Sequence, residues 1–522
     1  MSAIALILLL LAATAGLRLI ADRAHIPLPT LLVIGGLCLA LIPGLPQVTL
    51  DPHAIFLIFI PPLLFWAAIN SSLRDLVRNL RSITLLAVVM VVATTFIVAY
   101  AAHALLPQLP LAVCFVLGAI VSPPDAVAVT ASTRQLSLPR TTLVILEGES
   151  LMNDATALVA YQLALAAAVS GRFSAAAAGV ELVLTGAGGI LIGLIAGYAL
   201  GWLRKRIPPS GVVENTLSLL SPFVAYVPAD AAHCSGVLAV VAMGLYLGRA
   251  GPRVVSAATR LQAVAMWEML TFWLEGLIFI FVGLQLPQVV RALAPSEIAH
   301  LTWVALAVVA AMIGIRMTLI FPGAYVPRLI EARFGDTKPS YPPVRNILFG
   351  GWAGIRGGDS LVIALALPFT VAGGAPLAGR NAVIFITFVV ILVTLVVQGL
   401  TLAPVIRLLG VVGDNEEERE EHKARRASIA AASEAIERYI ARTGKEPVSA
   451  PELRAAAARE LKRLRNPPRR PPEDLAMRLE VIAAQREAVI TLRDRDEISD
   501  TVMRRLQIEL DHEELVLRQR FE

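Results

Sequence analysis

The sequence predicts an all-α membrane protein of about thirteen transmembrane helices, followed by a small charged helical domain. Of its 522 residues, 57% are hydrophobic and only 16% are charged, and the mean hydropathy is +0.71. Soluble domains have about 25% charged residues. The charges are concentrated in residues 411–522, which contain 24 acidic and 22 basic side chains. We therefore expect a membrane domain over 1–410 and a cytoplasmic tail over 411–522.

A bilayer-spanning helix needs about 20 mostly apolar residues. The stretch 2–20 lacks a basic start and a small-residue cleavage site, so we expect a retained span rather than a removed signal. The stretch 213–248 also permits other divisions. The predicted spans are 2–20, 27–44, 53–69, 82–106, 110–130, 141–169, 178–203, 213–229, 233–248, 262–287, 300–325, 343–372 and 381–408.

Basic residues between the spans predict the orientation, because cytoplasmic loops are enriched in Lys and Arg. The predicted outer loops contain only Arg172, Arg291 and Arg380. This alternation predicts an inner-membrane protein with its N-terminus outside and its C-terminus in the cytoplasm. The predicted inner loops contain Arg18, Arg23, Arg74, Arg78, Arg81, Arg134, Arg140, Arg204, Lys205, Arg206, Arg249, Arg253, Arg260, Arg328, Arg333, Lys338 and Arg345.

The same arginines explain the sequence pI of about 9.3 without a nucleic-acid partner. Cys38, Cys114 and Cys234 lie in or beside apolar stretches and are interpreted as free thiols. In the tail, residues 475–492 and 498–517 have apolar side chains at helical spacing. They predict a regulatory or dimer-associated helical domain with an unidentified regulator, and a solvated tail without a specific role is the alternative.

Three carboxylates lie in eight residues of the span 141–169. Glu147, Ser150 and Asp154 share one helical face, and Glu149 and Asn153 share the neighbouring one. Ionisable residues inside a span are costly and mark functional sites. A hydroxyl and a carboxylate four residues apart suit a small hard cation, although Glu147 and Glu149 also suit an acidic helix start at the membrane edge.

The adjacent Pro123 and Pro124 interrupt the span 110–130, since each removes a backbone donor. Broken helices at membrane depth line cavities, and their free carbonyls and helix ends bind ions. Asp125 follows the break, as an ion ligand or as a structural cap.

A third polar segment, Gly350 to Ser360, contains Arg356 and Asp359. Arg356 is always charged and needs a partner inside a span, for which Glu149 and Asp125 are candidates. Asp359 either pairs with Arg356 or faces water.

Two further charges, Glu275 and Arg316, lie singly in other predicted spans. We expect them to be partners across helices or purely structural.

Four segments together resemble the monovalent cation:proton antiporters, in the NhaP-like branch of bacterial Na⁺/H⁺ exchangers. They are Ser122-Pro123-Pro124-Asp125, the stretch Glu149 to Asp154, the stretch Trp352 to Gly357, and the stretch His233 to Gly248. The resemblance extends over residues 1–410. It implies a dimeric 13-helix antiporter fold with inverted repeats and broken crossing helices.

The resemblance also implies roles for single residues. Asp154 is the carboxylate that binds the ion and the proton, and Ser150 is a Na⁺ ligand beside it. Glu149 pairs with Arg356. Asn153 in place of a second aspartate implies electroneutral exchange. Four positions depart from the family pattern and put the ion preference in question: Pro124, Ala126, Trp66 and Asp359.

We therefore expect exchange of Na⁺ for H⁺, serving pH and sodium homeostasis, with no cofactor or enzymatic reaction and with membrane lipid as surroundings. Li⁺ or K⁺ as the cation remains open. The remote alternatives are a membrane-embedded aspartyl protease using Asp154 and Asp359, and a sensor that acts through its tail without transport.

Overall fold

The described chain is helical and forms two units, Met1–Asp414 and Asn415–Glu522. This boundary lies close to the expected one between 410 and 411. The computed structural model describes residues 3–24, 26–42, 52–133, 138–170, 175–207, 210–251, 257–334, 341–371, 374–411, 416–465, 473–495, 497 and 500–519. The predicted loop residues outside these ranges are Arg134, Arg172, Arg253 and Lys338.

Eighteen α-helices make up the described part of the first unit. Two π-helical turns, Leu85–Met90 and Thr394–Gln398, each connect two α-helices. The α-helices are α1 (Ala3–Ala24), α2 (Leu28–Ala40), α3 (Pro52–Asn70), α4 (Leu73–Arg78), α5 (Leu80–Thr84), α6 (Val91–Leu105), α7 (Leu111–Val121), α8 (Ala126–Thr133), α9 (Arg140–Ser170), α10 (Ala175–Arg204), α11 (Gly211–Ala231), α12 (Gly236–Ala250), α13 (Ala257–Arg291), α14 (Pro295–Phe334), α15 (Val344–Trp352), α16 (Gly358–Leu365), α17 (Arg380–Val393) and α18 (Gly399–Leu409).

The helices follow the predicted spans, and the all-α class is confirmed. Each predicted span overlaps a helix or a pair of helices. The ambiguous stretch 213–248 divides between α11 and α12. The number of membrane crossings stays a prediction. Within the described ranges, seven helices are long and apolar enough to cross a membrane, namely Ala5–Ala24, Leu80–Leu105, Arg140–Ser170, Val183–Arg204, Thr259–Arg291, Pro295–Ile330 and Arg380–Leu409.

Small residues bring pairs of these helices into backbone contact. A Cβ atom on Gly36 of α2 would lie 2.2 Å from the Ile280 carbonyl oxygen of α13. A Cβ atom on Gly193 of α10 would lie 2.1 Å from the Ala239 carbonyl oxygen of α12. Helices inside a membrane associate through such close packing, because lipid is as apolar as their side chains.

Two predicted spans are interrupted near their middle. The α7 helix ends at Val121 and α8 begins at Ala126, with Pro123 and Pro124 between them. This break confirms the prediction from the double proline. The α15 helix ends at Trp352, and α16 begins at Gly358.

The second unit contains four described helices, and ion pairs join helices that are adjacent in the sequence. Helices cover the described parts of the predicted stretches 475–492 and 498–517. The proline- and arginine-rich residues 466–472 lie outside the described residues. The helices are α19 (Glu416–Thr443), α20 (Ala450–Arg465), α21 (Glu473–Asp494) and α22 (Asp500–Gln519). The ion pairs join Arg454 to Glu437 and Glu446, and Arg486 to Asp511 and Glu514.

Candidate ion-binding site

The two helix breaks meet and bond to each other. The Asp125 backbone N–H donates to the Ile355 carbonyl oxygen at 2.8 Å. The Arg356 Nε donates to the Val121 carbonyl oxygen at 2.6 Å. A Cβ atom on Gly357 would lie 2.2 Å from Asp125 Oδ2, so the carboxylate packs directly on this glycine. The chain therefore places two irregular backbone segments and one carboxylate at a single crossing.

Arg356 satisfies carbonyl groups that the breaks leave without helical partners. Besides Val121, its guanidinium donates from Nη1 to the Gly354 carbonyl oxygen at 2.9 Å, and its backbone N–H donates to Thr394 Oγ1 at 3.2 Å. Helix ends lack intrahelical partners for such groups and need donors from elsewhere. Arg356 is 2% exposed, so this role is performed away from solvent.

Glu149 forms its salt bridge with Arg316, whereas the sequence predicted Arg356, which interacts with Glu149 only electrostatically, without a hydrogen bond between them in the described structure. Arg316 on α14 donates from Nη1 to Glu149 Oε1 at 2.5 Å and from Nη2 to Oε2 at 3.0 Å. Its Nε donates to the Gly350 carbonyl oxygen at 3.2 Å. Arg316 is therefore a partner across helices, one of the two alternatives that the sequence left open, and its partner is Glu149. This forked geometry is the strong form of an arginine–carboxylate pair.

A cavity of about 390 Å³ lies beside the crossing and is strongly acidic. Its described lining includes no Lys, Arg or His. Five residues with hydroxyl groups line it, namely Ser71, Thr130, Ser150, Thr271 and Ser360. Five carboxyl groups line it, those of Asp125, Glu147, Asp154, Glu275 and Asp359. Such an arrangement attracts cations and holds no fixed positive charge against them.

The predicted ligands divide between this cavity and the protein behind it. Asp154 and Ser150 line the cavity from α9, and Pro123 and Pro124 line it from the break. Asn153 is fully buried and donates from Nδ2 to the Pro124 carbonyl oxygen at 3.4 Å. Its Oδ1 accepts no hydrogen bond within the described structure. Glu149 and Arg356 lie outside the lining and support it.

Other lining residues were not predicted as site residues. Asn70 and Thr271 contribute polar groups, and Trp66 contributes an indole that stacks on Trp267 at 5.7 Å between ring centroids. Only Trp66 had a sequence signal, as a departure from the family pattern. A single Asn or Thr in a helix gives no such signal, because both residue types are also common in helices that form no binding site.

Replacing Gly357 by alanine is expected to displace the Asp125 carboxylate and to reduce transport severalfold. Overpacking a close contact of this kind costs about 1–3 kcal/mol. The measurement is cation-dependent proton movement in vesicles, normalised to the amount of folded protein. The matched control is Gly314→Ala, because a Cβ atom there has no neighbour within 4 Å. Equal activity of the two variants would contradict the close contact.

Interrupted helices that cross beside a carboxylate-lined cavity, within an apolar helical bundle, define an ion-translocating secondary transporter. The chain belongs to the sodium/hydrogen exchanger family, since the family described as "Sodium/hydrogen exchanger, transmembrane" matches residues 7–408. The family consists of multi-pass membrane proteins that act as secondary transporters.

Named relatives agree with this assignment. An uncharacterised Na⁺/H⁺ exchanger of Mycobacterium tuberculosis is 36% identical over 98% of this chain and 95% of its own length. The Na⁺/H⁺ antiporter ApNhaP of Aphanothece halophytica is 32% identical over 84% of this chain and 79% of its own. A sodium, potassium, lithium and rubidium/H⁺ antiporter of Bacillus pumilus is 34% identical over 72% of this chain and 57% of its own.

A solved structure shares the fold. The sodium proton antiporter MjNhaP1 of Methanocaldococcus jannaschii superposes with a TM-score of 0.59, covering 76% of this chain and 98% of that one. The identity is 22%, so the likeness concerns the fold alone.

Proposed function

We propose that this chain exchanges Na⁺ for H⁺ across the inner membrane and that Asp154 holds the two ions in turn. The observation that supports this most is the position of Asp154 on an acidic cavity whose described lining has no cationic side chain. An ionised carboxylate that is partly removed from water and crowded by other carboxylates is costly unless it is protonated or paired with a cation. Proton and Na⁺ therefore compete for the same group.

The surrounding oxygens suit a dehydrated Na⁺. Ser150 lies one helical turn before Asp154, so its hydroxyl is on the same face. The carbonyl groups of Pro123 and Pro124 lie at the break, where helix hydrogen bonding is lost. The Oδ1 atom of Asn153, which accepts no hydrogen bond from the described residues, adds an acceptor near Pro124. We propose Asp154 and Ser150 as direct ligands and assign Asp125 to the wall of the site.

Transport follows from moving one bundle of helices against the other around this site, so that the cavity opens to each side in turn. The energy comes from the proton gradient, and no cofactor or bond-breaking step is needed. We expect one Na⁺ per H⁺. Position 153 has an asparagine rather than a second aspartate, so Asp154 is the one acidic side chain at these two adjacent positions.

The rival functions are less well supported. K⁺/H⁺ exchange alone through the same site is not favoured, because all three relatives described above are named for Na⁺, the one in B. pumilus together with K⁺, Li⁺ and Rb⁺. A protease using Asp154 and Asp359, or a sensor without transport, has no support from the family.

The arrangement in the membrane is part of the proposal. We propose a homodimer with the N-terminus outside and the tail, from residue 411, in the cytoplasm. The loop arginines support this orientation. The tail is proposed to regulate the exchanger or to contribute to dimer formation.

The test is dequenching of a pH-sensitive dye in everted vesicles that contain the full chain. A proton gradient is established, and Na⁺, Li⁺ and K⁺ are added in turn. Na⁺ and Li⁺ are expected to collapse the gradient at lower concentrations than K⁺. No response to any cation would contradict exchange, and a response to K⁺ alone would contradict the Na⁺ preference.

A further inference from the structure

We propose that Asp359 is a second carboxylate ligand of the transported cation and that it favours small cations over large ones. This inference rests on the proposed function and assigns a further residue to the same site. It differs from the sequence expectation, which left Asp359 either paired with Arg356 or facing water.

The backbone brings Asp359 to the cavity from the second break. Asp359 lies in the first turn of α16, directly after Gly357 and Gly358. A Cβ atom on Gly358 would lie 2.1 Å from Ile278 Cγ2 of α13, so this turn is packed tightly in place. The Asp359 side chain lines the same cavity as Asp154, which belongs to α9. The two carboxylates therefore approach one space from different helices.

Both arginines near the site are occupied elsewhere. The Arg356 guanidinium donates to the carbonyl oxygens of Val121 and Gly354, and Arg316 forms its two-pronged pair with Glu149. Neither forms an ion pair with Asp359 within the described structure. The described structure therefore contains no ion pair between Asp359 and Arg356.

Among the described residues that line the cavity, the charged side chains beside Asp359 are all negative. Asp125 and Asp154 are close enough to interact with it electrostatically, and Glu147 and Glu275 line the same cavity. Like charges repel strongly where water is limited, and a cation between two carboxylates removes that repulsion. Asp359 therefore strengthens the attraction that Asp154 has for the cation.

A second carboxylate also raises the field strength of the site. The number and field strength of ligands contribute to the choice between Na⁺ and K⁺. The smaller ion approaches a carboxylate oxygen more closely, and it therefore gains more from the added charge. We accordingly expect Asp359 to favour Li⁺ and Na⁺ over K⁺ and Rb⁺.

The experiment compares Asp359→Asn with the native chain by dye dequenching over a range of cation concentrations. The substitution is expected to raise the apparent KM for Na⁺ about tenfold, which is the usual cost of losing one interaction with a charged group. The maximal rate should stay within about twofold of the native value. The KM for K⁺ should rise less, so the preference for Na⁺ over K⁺ falls. A purely structural role would lower the maximal rate without changing this preference.

Asp359→Glu tests the same idea when the asparagine variant does not fold, since it keeps the carboxylate but moves it. It should change the ratio of the KM values for Na⁺ and K⁺. Asp230→Asn, at an exposed position of α11, is the control and should behave like the native chain. An unchanged KM ratio in a folded Asp359 variant would overturn the inference while exchange by the native chain still stood. Failure of the native chain to exchange would instead overturn the proposed function.

Discussion

Replacing Asp154 by asparagine is expected to reduce cation-dependent proton movement to the level of empty vesicles. Asparagine has nearly the same shape as aspartate, but it neither binds a proton in this pH range nor offers a negative charge to Na⁺. Every step of the proposed exchange needs one of these two properties. The measurement is dye dequenching with Na⁺, Li⁺ and K⁺ in everted vesicles.

Loss of activity must be separated from loss of folding. Asp359 and Asp125 lie near enough to repel the Asp154 carboxylate, so its replacement removes repulsion. The purified Asp154→Asn chain is therefore expected to be monodisperse and to have a Tm equal to or above that of the native chain. The control Asp22→Asn changes an exposed carboxylate on α1 and should transport normally. Normal exchange by Asp154→Asn would refute its assigned role.

The first helix break was predictable from sequence, whereas the location of the second was not. Pro123 and Pro124 lack backbone N–H groups, so the helix has to stop whatever surrounds it. The segment Ala353–Gly357 has two glycines, which permit an irregular backbone without requiring one. The break there is stabilised by distant groups, including the Thr394 hydroxyl that accepts from the Arg356 N–H.

The ligand positions on α9 were predictable because one helix contains them. Spacing alone places Glu147, Ser150 and Asp154 on one face, and all three line the cavity. Partners on other helices were not predictable in this way. Glu149 and Arg316 are 167 residues apart, and the rotation of α14 relative to α9 follows from packing rather than from either sequence segment. For that reason the sequence did not identify Arg316 as the salt-bridge partner of Glu149.

This correction changes which residues support the site. Arg356 bonds to the carbonyl oxygens of Val121 and Gly354, and it thereby joins the two breaks. Arg316 bonds to Glu149 and to Gly350, and it thereby joins α14 to α9 and α15. The two arginines have separate tasks. One secures the irregular backbone, and the other neutralises a carboxylate one residue away from Ser150.

Loss of either member of the Glu149–Arg316 pair is expected to destabilise the protein strongly. Both side chains are almost fully buried, at 2% and 3% exposed. Removing one partner leaves the other as an uncompensated buried charge, which costs about 3–5 kcal/mol. Glu149→Gln and Arg316→Gln should each lower the Tm and the fraction of monodisperse chain. The double replacement removes both charges together, so it should recover much of the lost stability.

An exposed pair with a single contact of the same length provides the control for this cycle. Arg18 Nε lies 3.0 Å from Asp22 Oδ2 on α1, the distance that also separates Arg316 Nη2 from Glu149 Oε2. Its side chains are 32% and 61% exposed, and pairs of that kind contribute about 0–1 kcal/mol. Arg18→Gln should therefore leave the Tm nearly unchanged. Two outcomes would contradict this expectation: Arg316→Gln lowers the Tm as little as Arg18→Gln does, or the double variant loses as much Tm as the two single variants combined. Either would mean that the buried pair does not hold α9 and α14 together through its charge.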